Sequence, residues 1–280
     1  MRSGGSRLVL AVMLLAMPLL PACSSTSSDP DTASDIKLQS LIAGPQRSEK
    51  NTRRDVYRHP YETLTFFGLR DDMTVVEIDP GSGAWWTEIL APYLRDHGQY
   101  YAAGPAADDT SAEAVSNRGG FAAKLASNPA LYDKVKVTEF AGDRHDIAPP
   151  GTADMVLTFR NLHNWIADGS AEANLNAFYR ALKPGGILGI EDHRGRADQP
   201  QDPEAASGYV REDYAIALVE KAGFKFVAES EVNANPKDTK DYPAGVWTLP
   251  PTLRLKDKDR AKYLAIGESD RFTLKFVKPQ

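Results

Sequence analysis

Four groups of residues have the types and spacing to do chemistry. The first is Glu77-Ile78-Asp79-Pro80-Gly81-Ser82-Gly83-Ala84-Trp85-Trp86, where an apolar run closes on an acid and turns on glycines into an amphipathic stretch. Glycine at such a turn lets the backbone approach a ligand and take angles that other residues avoid. A dinucleotide fold wants a third glycine where helix meets strand; Trp86 stands there and is too large for that packing. A P-loop needs Gly-Lys-Ser/Thr, and this turn has no lysine. The second and third groups are Arg160-Asn161-Leu162-His163-Asn164-Trp165 and Asp192-His193-Arg194. His163 or His193 has the character of a general base, with Asp192 to orient an imidazole. The same histidines would serve equally as caps or hydrogen-bonded loop residues, and both readings stay open. Histidine and aspartate are also metal-ligand types, but no tight His-x-x-x-His spacing occurs, so no metal is expected. The fourth group, Arg53 to Glu62 beside Phe66 and Phe67, sets many charges ahead of the first strand. It either brings His59 or Glu62 to a cleft or is a charged helix face docked through its aromatics.

These groups need elements to bring them together. Apolar runs at Thr74–Ile78, Gln99–Ala103, Val135–Phe140, Met155–Phe159, Ile187–Glu191 and Phe224–Ser230 read as strands. Amphipathic stretches separate several of them: Trp86, Ile89, Leu90, Tyr93 and Leu94 share one helical face, as do Leu175, Phe178, Tyr179 and Leu182. A further helix from Glu212 stops at Gly223. Near the end Phe272, Leu274 and Phe276 alternate with Thr273 and Lys275, the pattern of a half-buried antiparallel strand. The expectation is an α/β fold with a mainly parallel sheet, helices on both faces and an antiparallel last strand. Such sheets bind ligands at the carboxyl ends of their strands, which gathers the groups after strands one, four and five. An insertion at about 231–268, rich in asparagine and proline, is placed to cover that cleft; its run Lys256 to Arg260 reads as a solvated face.

The glycine turn resembles the acidic-x-Gly-x-Gly-x-Gly loop of class I S-adenosylmethionine-dependent methyltransferases. Gly81 and Gly83 match the second and third glycines, Glu77 matches the acid, and Asp79 replaces the first glycine. Ala141-Gly142-Asp143 resembles the family's Gly-Asp whose carboxylate meets the adenine amino group, and Ala153 to Leu157 the strand that follows. Ala181-Leu182-Lys183-Pro184-Gly185-Gly186 resembles the Leu-Lys-Pro-Gly-Gly that often enters the fifth strand. The resemblance runs from about Met73 to Val277 and implies a Rossmann-like seven-stranded sheet, S-adenosyl-L-methionine as cofactor, and Glu77, Gly81, Gly83, Asp143 and Arg160 around it. His59, Glu62, Asn161 and Asn164 are the further cleft candidates. One departure stands out: strand two ends Tyr100-Tyr101-Ala102-Ala103-Gly104-Pro105, without the acid that usually takes the ribose hydroxyls. Either Asp108 or Asp109 reaches back, or the ribose is held otherwise, or this cofactor is not bound.

The N-terminus points outward from the cytoplasm. Arg2 and Arg7 precede an apolar run from Leu8 to Leu20, too short and proline-broken to span a bilayer, and then Leu20-Pro21-Ala22-Cys23. This resembles a bacterial lipoprotein signal, with residues 1–22 removed, Cys23 lipidated and Ser24 matching proteins sent to the outer membrane. Residues 23–45 then read as a flexible tether and 46–72 as an N-terminal helical segment before a 73–280 domain. Losing Arg2 and Arg7 moves the formal charge from −5 to −7, and no basic stripe is present, which argues against a nucleic-acid partner. The whole chain resembles a group of exported predicted methyltransferases. Two functions follow: a lipid-anchored methyltransferase for a small or envelope-associated acceptor, or a non-catalytic lipoprotein with that fold that binds another ligand or a partner. A nicotinamide-dependent oxidoreductase is opposed by Trp86 and by the antiparallel last strand.

Overall fold

A computed structural model describes residues 1, 4, 30–142 and 144–280. Seven strands form one sheet: β1 Thr74–Ile78, β2 Gln99–Gly104, β3 Lys136–Glu139, β4 Ala153–Phe159, β5 Leu182–His193, β6 Lys225–Ser230 and β7 Arg271–Val277. Their order is β3-β2-β1-β4-β5-β7-β6, parallel throughout except for β7, which runs antiparallel to both neighbours. The helices are α1 Pro30–Ile42, α2 Glu49–Thr52, α3 Asp55–Arg58, α4 Pro60–Phe67, α5 Thr87–Leu94, α6 Ala112–Ser127, α7 Pro129–Tyr132, α8 Leu162–Ala167, α9 Ala171–Ala181, α10 Glu212–Lys221 and α11 Arg260–Ile266. Alternation along β1 explains the two-sided core. Val76 and Ile78 join a cluster with Trp165, Leu175, Phe178 and Val219, whereas Val75 faces Leu64, Phe67, Trp86 and Ile89.

Four sequence expectations change. The proposed tether at 23–45 is helical from Pro30, because α1 has partners: Leu38 is buried, Ser34 Oγ lies 2.5 Å from Tyr93 OH, and Lys37 pairs with Asp71 at 3.2 Å. The last strand is buried on both faces rather than one. Thr273 is fully covered and accepts a hydrogen bond from Asn233 Nδ2 (2.9 Å), while Lys275 donates to the carbonyl of Phe66 (3.2 Å). Strand β5 starts at Leu182, so the Lys-Pro-Gly-Gly turn lies within it as an irregularity opposite Ala153–Met155. Helix α6 had no sequence counterpart, and it approaches the glycine turn so closely that a Cβ at Gly120 would lie 2.6 Å from Ser82 Cβ.

Candidate functional site

The carboxyl ends of β1, β4 and β5 open into a cleft of ≈ 650 Å³. Its floor is the turn Asp79–Ala84, where Asp79, Gly81 and Ala84 all take left-handed backbone angles. Trp86 sits below the turn, 3 % exposed, its ring stacked on Phe159 at 4.1 Å; where a dinucleotide fold has its third glycine, an aromatic fills the interior. Asn161 donates to the Ile78 carbonyl (3.3 Å) and to Thr158 Oγ1 (3.1 Å), tying the end of β4 to that of β1. Arg160, also left-handed at φ 63°, donates its amide to Glu191 O at 2.7 Å, which fixes β4 against β5.

A second cavity of ≈ 370 Å³ lies across the same turn, over the ends of β2 and β3. Phe121, Ala122 and Leu125 of α6 and Val137 give it apolar walls. The two spaces share Pro80, Gly81 and Asn117, so they are compartments of one site hinged on the glycine turn. Glu139 is the one carboxylate lining the apolar compartment among the described residues. It sits beside Gly104 in register and accepts a hydrogen bond from the Ala107 amide (2.9 Å). Asp108 and Asp109 do not reach this space: Asp108 pairs with Arg144, and Asp109 accepts from the Ser111 amide at 2.8 Å.

The family acid is oriented inward. Glu77 is 2 % exposed, accepts from Thr87 Oγ1 (3.1 Å) and Tyr100 OH, and lines neither compartment. Burial pushes its carboxyl up to about 7 despite those hydrogen bonds. Asp79 lines the cleft in its place, and burial, with Glu113 nearby, raises it to about 7 as well. In this position Glu77 braces β1 against β2 and α5. Gly81 and Gly83 do line the cleft, and Asp143 lies outside the described residues.

Strands β4 and β5 bring His163, Asp192 and His193 together. His163 Nδ1 lies 2.9 Å from Asp192 Oδ1, its amide donates to Asp192 Oδ2 (2.9 Å), and the His193 amide donates to Oδ1 (2.7 Å). Burial alone would raise Asp192, but the His163 ring and His193 outweigh it and hold the carboxyl below the usual range. Against a carboxylate, Nδ1 carries a proton, so Nε2 is the ring nitrogen outside that hydrogen bond. His193 is spoken for differently: its Nδ1 is 2.5 Å from Ser269 Oγ. Burial drives its pKa well down, helped by Arg160 and Arg271 against the opposing pull of Asp192, so it stays neutral. The three side chains each place a ligand-type atom within 4.8 Å of the others, a cluster that sequence spacing did not disclose. The guanidiniums beside His193 oppose a cation there.

The segment before β1 also lines the cleft, but with other residues than those expected. Lys50, Asn51, Arg54 and Arg58 face it; His59 instead lies 3.2 Å from Asn233 Oδ1 in a separate hollow, and Glu62 is exposed. The reason is local. His59 is left-handed and ends α3, and Pro60 starts α4 in a new direction, so Glu62 does not continue the face carrying Arg54 and Arg58. The segment docks through Trp85, whose Nε1 donates to Asn51 O (2.9 Å) and whose ring lies 4.7 Å from the Arg47 guanidinium and 4.6 Å from that of Arg58. The insertion adds Val246, Trp247 and Arg254 to the opposite wall, and Asn164 stands exposed at the rim.

No family model matches the chain, and no characterised sequence matches it. Solved structures do. A SAM-dependent methyltransferase from Aquifex aeolicus is 20 % identical over 90 % of this chain and all of its own, with a TM-score of 0.53. The [4+2]-cyclase SpnF is 14 % identical over 89 % of this chain and 94 % of its own (0.55). Phosphoethanolamine N-methyltransferase 2 of Haemonchus contortus, solved with S-adenosyl-L-methionine, is 14 % identical over 87 % of this chain and 60 % of its own (0.51). Together with the strand order and the antiparallel β7, these likenesses show that the chain has the Rossmann-like fold of the class I methyltransferases.

Proposed function

We propose that the protein is an S-adenosylmethionine-dependent methyltransferase for a small-molecule acceptor. The observation that carries this reading is the pair of compartments meeting at Pro80–Gly81, one apolar and one polar. An adenosyl group is flat and largely apolar on its faces, whereas the methionine end is charged, and the two halves of the site match that division. S-adenosylmethionine, when bound, supplies an electrophilic methyl group. Phe121 and Leu125 would flank the adenine, and Glu139 would accept from the ribose in place of the missing strand-two acid. Gly81 and Gly83 leave backbone room for the methionine end, with Asp79 to meet its ammonium. The dyad acts on the acceptor: His163 Nε2 takes the proton that an O–H or N–H acceptor must lose, and Asp192 holds the ring in the right tautomer. Such a positioned base typically contributes about 10²–10⁴-fold to rate.

Calorimetric titration of the full chain, freed of carried-over ligand, with S-adenosylmethionine and S-adenosylhomocysteine tests the reading. Micromolar binding that disappears in Gly81→Val is expected. Gly81 sits at φ 63°, and a side chain there would meet no protein atom but would stand in the ligand space. No heat from folded, ligand-free chain would sink the reading and favour a non-catalytic protein of the same fold. The strand-two end without an acid speaks for that alternative, and the cyclase neighbour illustrates that fold alone does not fix the reaction.

The finer part of the proposal is location. Cys23, outside the described residues, would carry a lipid at the periplasmic face of the outer membrane, and the acceptor would be an envelope component. Since α1 begins at Pro30, residues 24–29 would hold the domain within roughly 20 Å of the anchor. Among the described residues no helix is long and apolar enough to cross a membrane. Mass spectrometry of the mature N-terminus, and release of Cys23→Ser into the soluble fraction, test the anchor; an intact N-terminus beginning at residue 1 would refute it.

A further inference from the structure

The cleft wall opposite the glycine turn holds more positive charge than its own acids neutralise. Arg54, Arg58 and Arg160 line the cleft, and Arg271 lies directly behind them. Two buried carboxylates serve three of the four. Glu268 lies 2.5 Å from Arg54 Nε, 3.8 Å from Arg58 Nε and 3.3 Å from Arg271 Nη1, and Glu191 takes Arg271 at 2.9 Å. The crowding is legible in the titration of these groups. Burial would raise Glu268, yet Arg271, Arg54 and Arg58 bring it down to about 2, while Arg58 is depressed by burial and by Arg160 and Arg54, and Arg160 by burial and by Arg54 and Arg271.

The hydrogen-bond inventory points the same way. Arg54 Nη2, Arg58 Nε and Nη2, and Arg160 Nε are buried without a hydrogen-bond partner, and Arg58 is only 2 % exposed. Arg160 makes no ion pair within 4 Å among the described residues, and neither do Lys50 and Arg254 at the rim. Buried guanidinium donors without acceptors are costly, so a fold that keeps three around one space is arranged for an occupant that supplies the acceptors. Planar guanidiniums from one face of α3 and from the turn after β4 suit an oxyanion, which accepts several such bonds at once.

We propose that this wall is an oxyanion subsite for the acceptor, so that the methylated molecule carries a carboxylate or phosphate held by Arg54, Arg58 and Arg160. This rests on the methyltransferase reading. S-adenosylmethionine, with its sulfonium and ammonium against one carboxylate, brings a net positive charge to a site already in positive surplus. An anionic acceptor balances both. It would lie between the arginines and the His163–Asp192 dyad, which line the same cleft.

The competing source of the same chemistry is the cofactor's own carboxylate, and the test separates the two. Inorganic phosphate is titrated calorimetrically into the full chain, first alone and then saturated with S-adenosylhomocysteine, whose carboxylate is already seated. The expected result is saturable phosphate binding that survives saturation. It should weaken by about tenfold or more in Arg160→Met and Arg54→Gln, and in Arg54→Gln the S-adenosylhomocysteine affinity should stay within about twofold of the parent. Near-UV circular dichroism confirms that each variant is folded, and Arg160→Lys should recover part of the loss. Displacement of phosphate by S-adenosylhomocysteine would assign the arginines to the cofactor and overturn the inference. Absence of phosphate binding in folded chain that binds S-adenosylhomocysteine would also overturn it and leave the methyltransferase reading intact. Phosphate binding without any binding of either cofactor form would keep the oxyanion site and remove the function on which its acceptor role depends.

Discussion

On the β2–β3 side of Gly81 the site is walled by Phe121, Leu125, Val137 and small residues, and none of its lining side chains has a buried polar atom without a partner. Even Arg118 there is satisfied, donating to the carbonyls of Ala106 (2.6 Å) and Asp109 (2.7 Å). On the β4–β5 side Arg54, Arg58 and Arg160 all have unpaired buried donors. The contrast separates two kinds of readiness. An apolar pocket loses little by standing empty, since its walls pack on each other and on the sheet. A charged pocket keeps desolvated groups waiting, a cost that a ligand relieves and that an empty fold must carry. Variants on the two sides should therefore move stability in opposite directions.

The largest effect is expected on the apolar side. Phe121 is buried in the core shared by α6 and the sheet, and Phe121→Ala should lower stability by about 3 kcal/mol in denaturant unfolding. It should also abolish S-adenosylhomocysteine binding while leaving the phosphate response. Loss of both responses in folded variant would mean that the compartments are not independent.

Glu77, beneath the turn that joins the compartments, gives a pH-dependent effect of similar size. Its carboxyl sits at about 7 in the fold against 4.5 ordinarily, so between those values the folded chain holds a proton that the unfolded chain has lost. Stability therefore falls as pH rises from about 4.5 toward 7 and is flat beyond. Glu77→Gln keeps an acceptor for Thr87 and Tyr100 and removes the proton linkage. By pH 8 the variant should exceed the parent by up to about 3 kcal/mol relative to their difference at pH 4. Asp79, raised in the same direction, leaves a residual slope in the variant. A pH-independent difference between the two proteins would show that Glu77 is ionised in the fold.

These predictions turn on residues that pattern alone placed unevenly. The strands and their parallel order were legible because each is a short apolar run between turn residues, and the glycine turn, His163 and Asp192 followed from the ends of those runs. Helix α6 was not: Gly119 and Gly120 weaken it locally, and only the approach of Ser82 explains Gly120, while Gly119 faces open space. The orientation of Glu77 and Asp79 was also hidden. A residue's position in a motif does not tell which way a carboxylate points when Tyr100 and Thr87, distant in sequence, supply its partners. Arg54 and Arg58 stand one helical turn apart and share a face, a signal that was present; the break at His59–Pro60, which turns His59 and Glu62 away from that face, was not. The role of Trp247 and Arg254 depends on how the insertion folds over the cleft, which no local pattern encodes.

On the charged side the expected change is smaller and of opposite sign. Arg160→Met removes a guanidinium whose Nε has no partner and reduces the repulsion on Arg58, so the empty chain should gain about 1 kcal/mol of stability. The gain should vanish in saturating phosphate, which stabilises the parent more than a variant that binds it about tenfold more weakly. A loss of stability in the ligand-free variant would mean that Arg160 is satisfied by the fold itself, and the contrast between the compartments would fail.

The smallest effect decides which acid serves the ribose. Asp108 follows strand two in sequence, but it is tied to Arg144 on the surface and lies outside both compartments. Glu139 belongs to the neighbouring strand, yet parallel pairing sets it beside Gly104, at the level where an acid ending β2 would stand. Asp108→Ala should leave S-adenosylhomocysteine affinity unchanged, and Glu139→Gln should weaken it several-fold, about the worth of one or two hydrogen bonds. Deoxygenating the ribose at the 2′ position should produce a similar loss in the parent and almost none in Glu139→Gln. If the loss follows Asp108 instead, the loop after β2 closes back on the ligand. The apolar compartment would then depend on movement rather than on the register of β2 against β3.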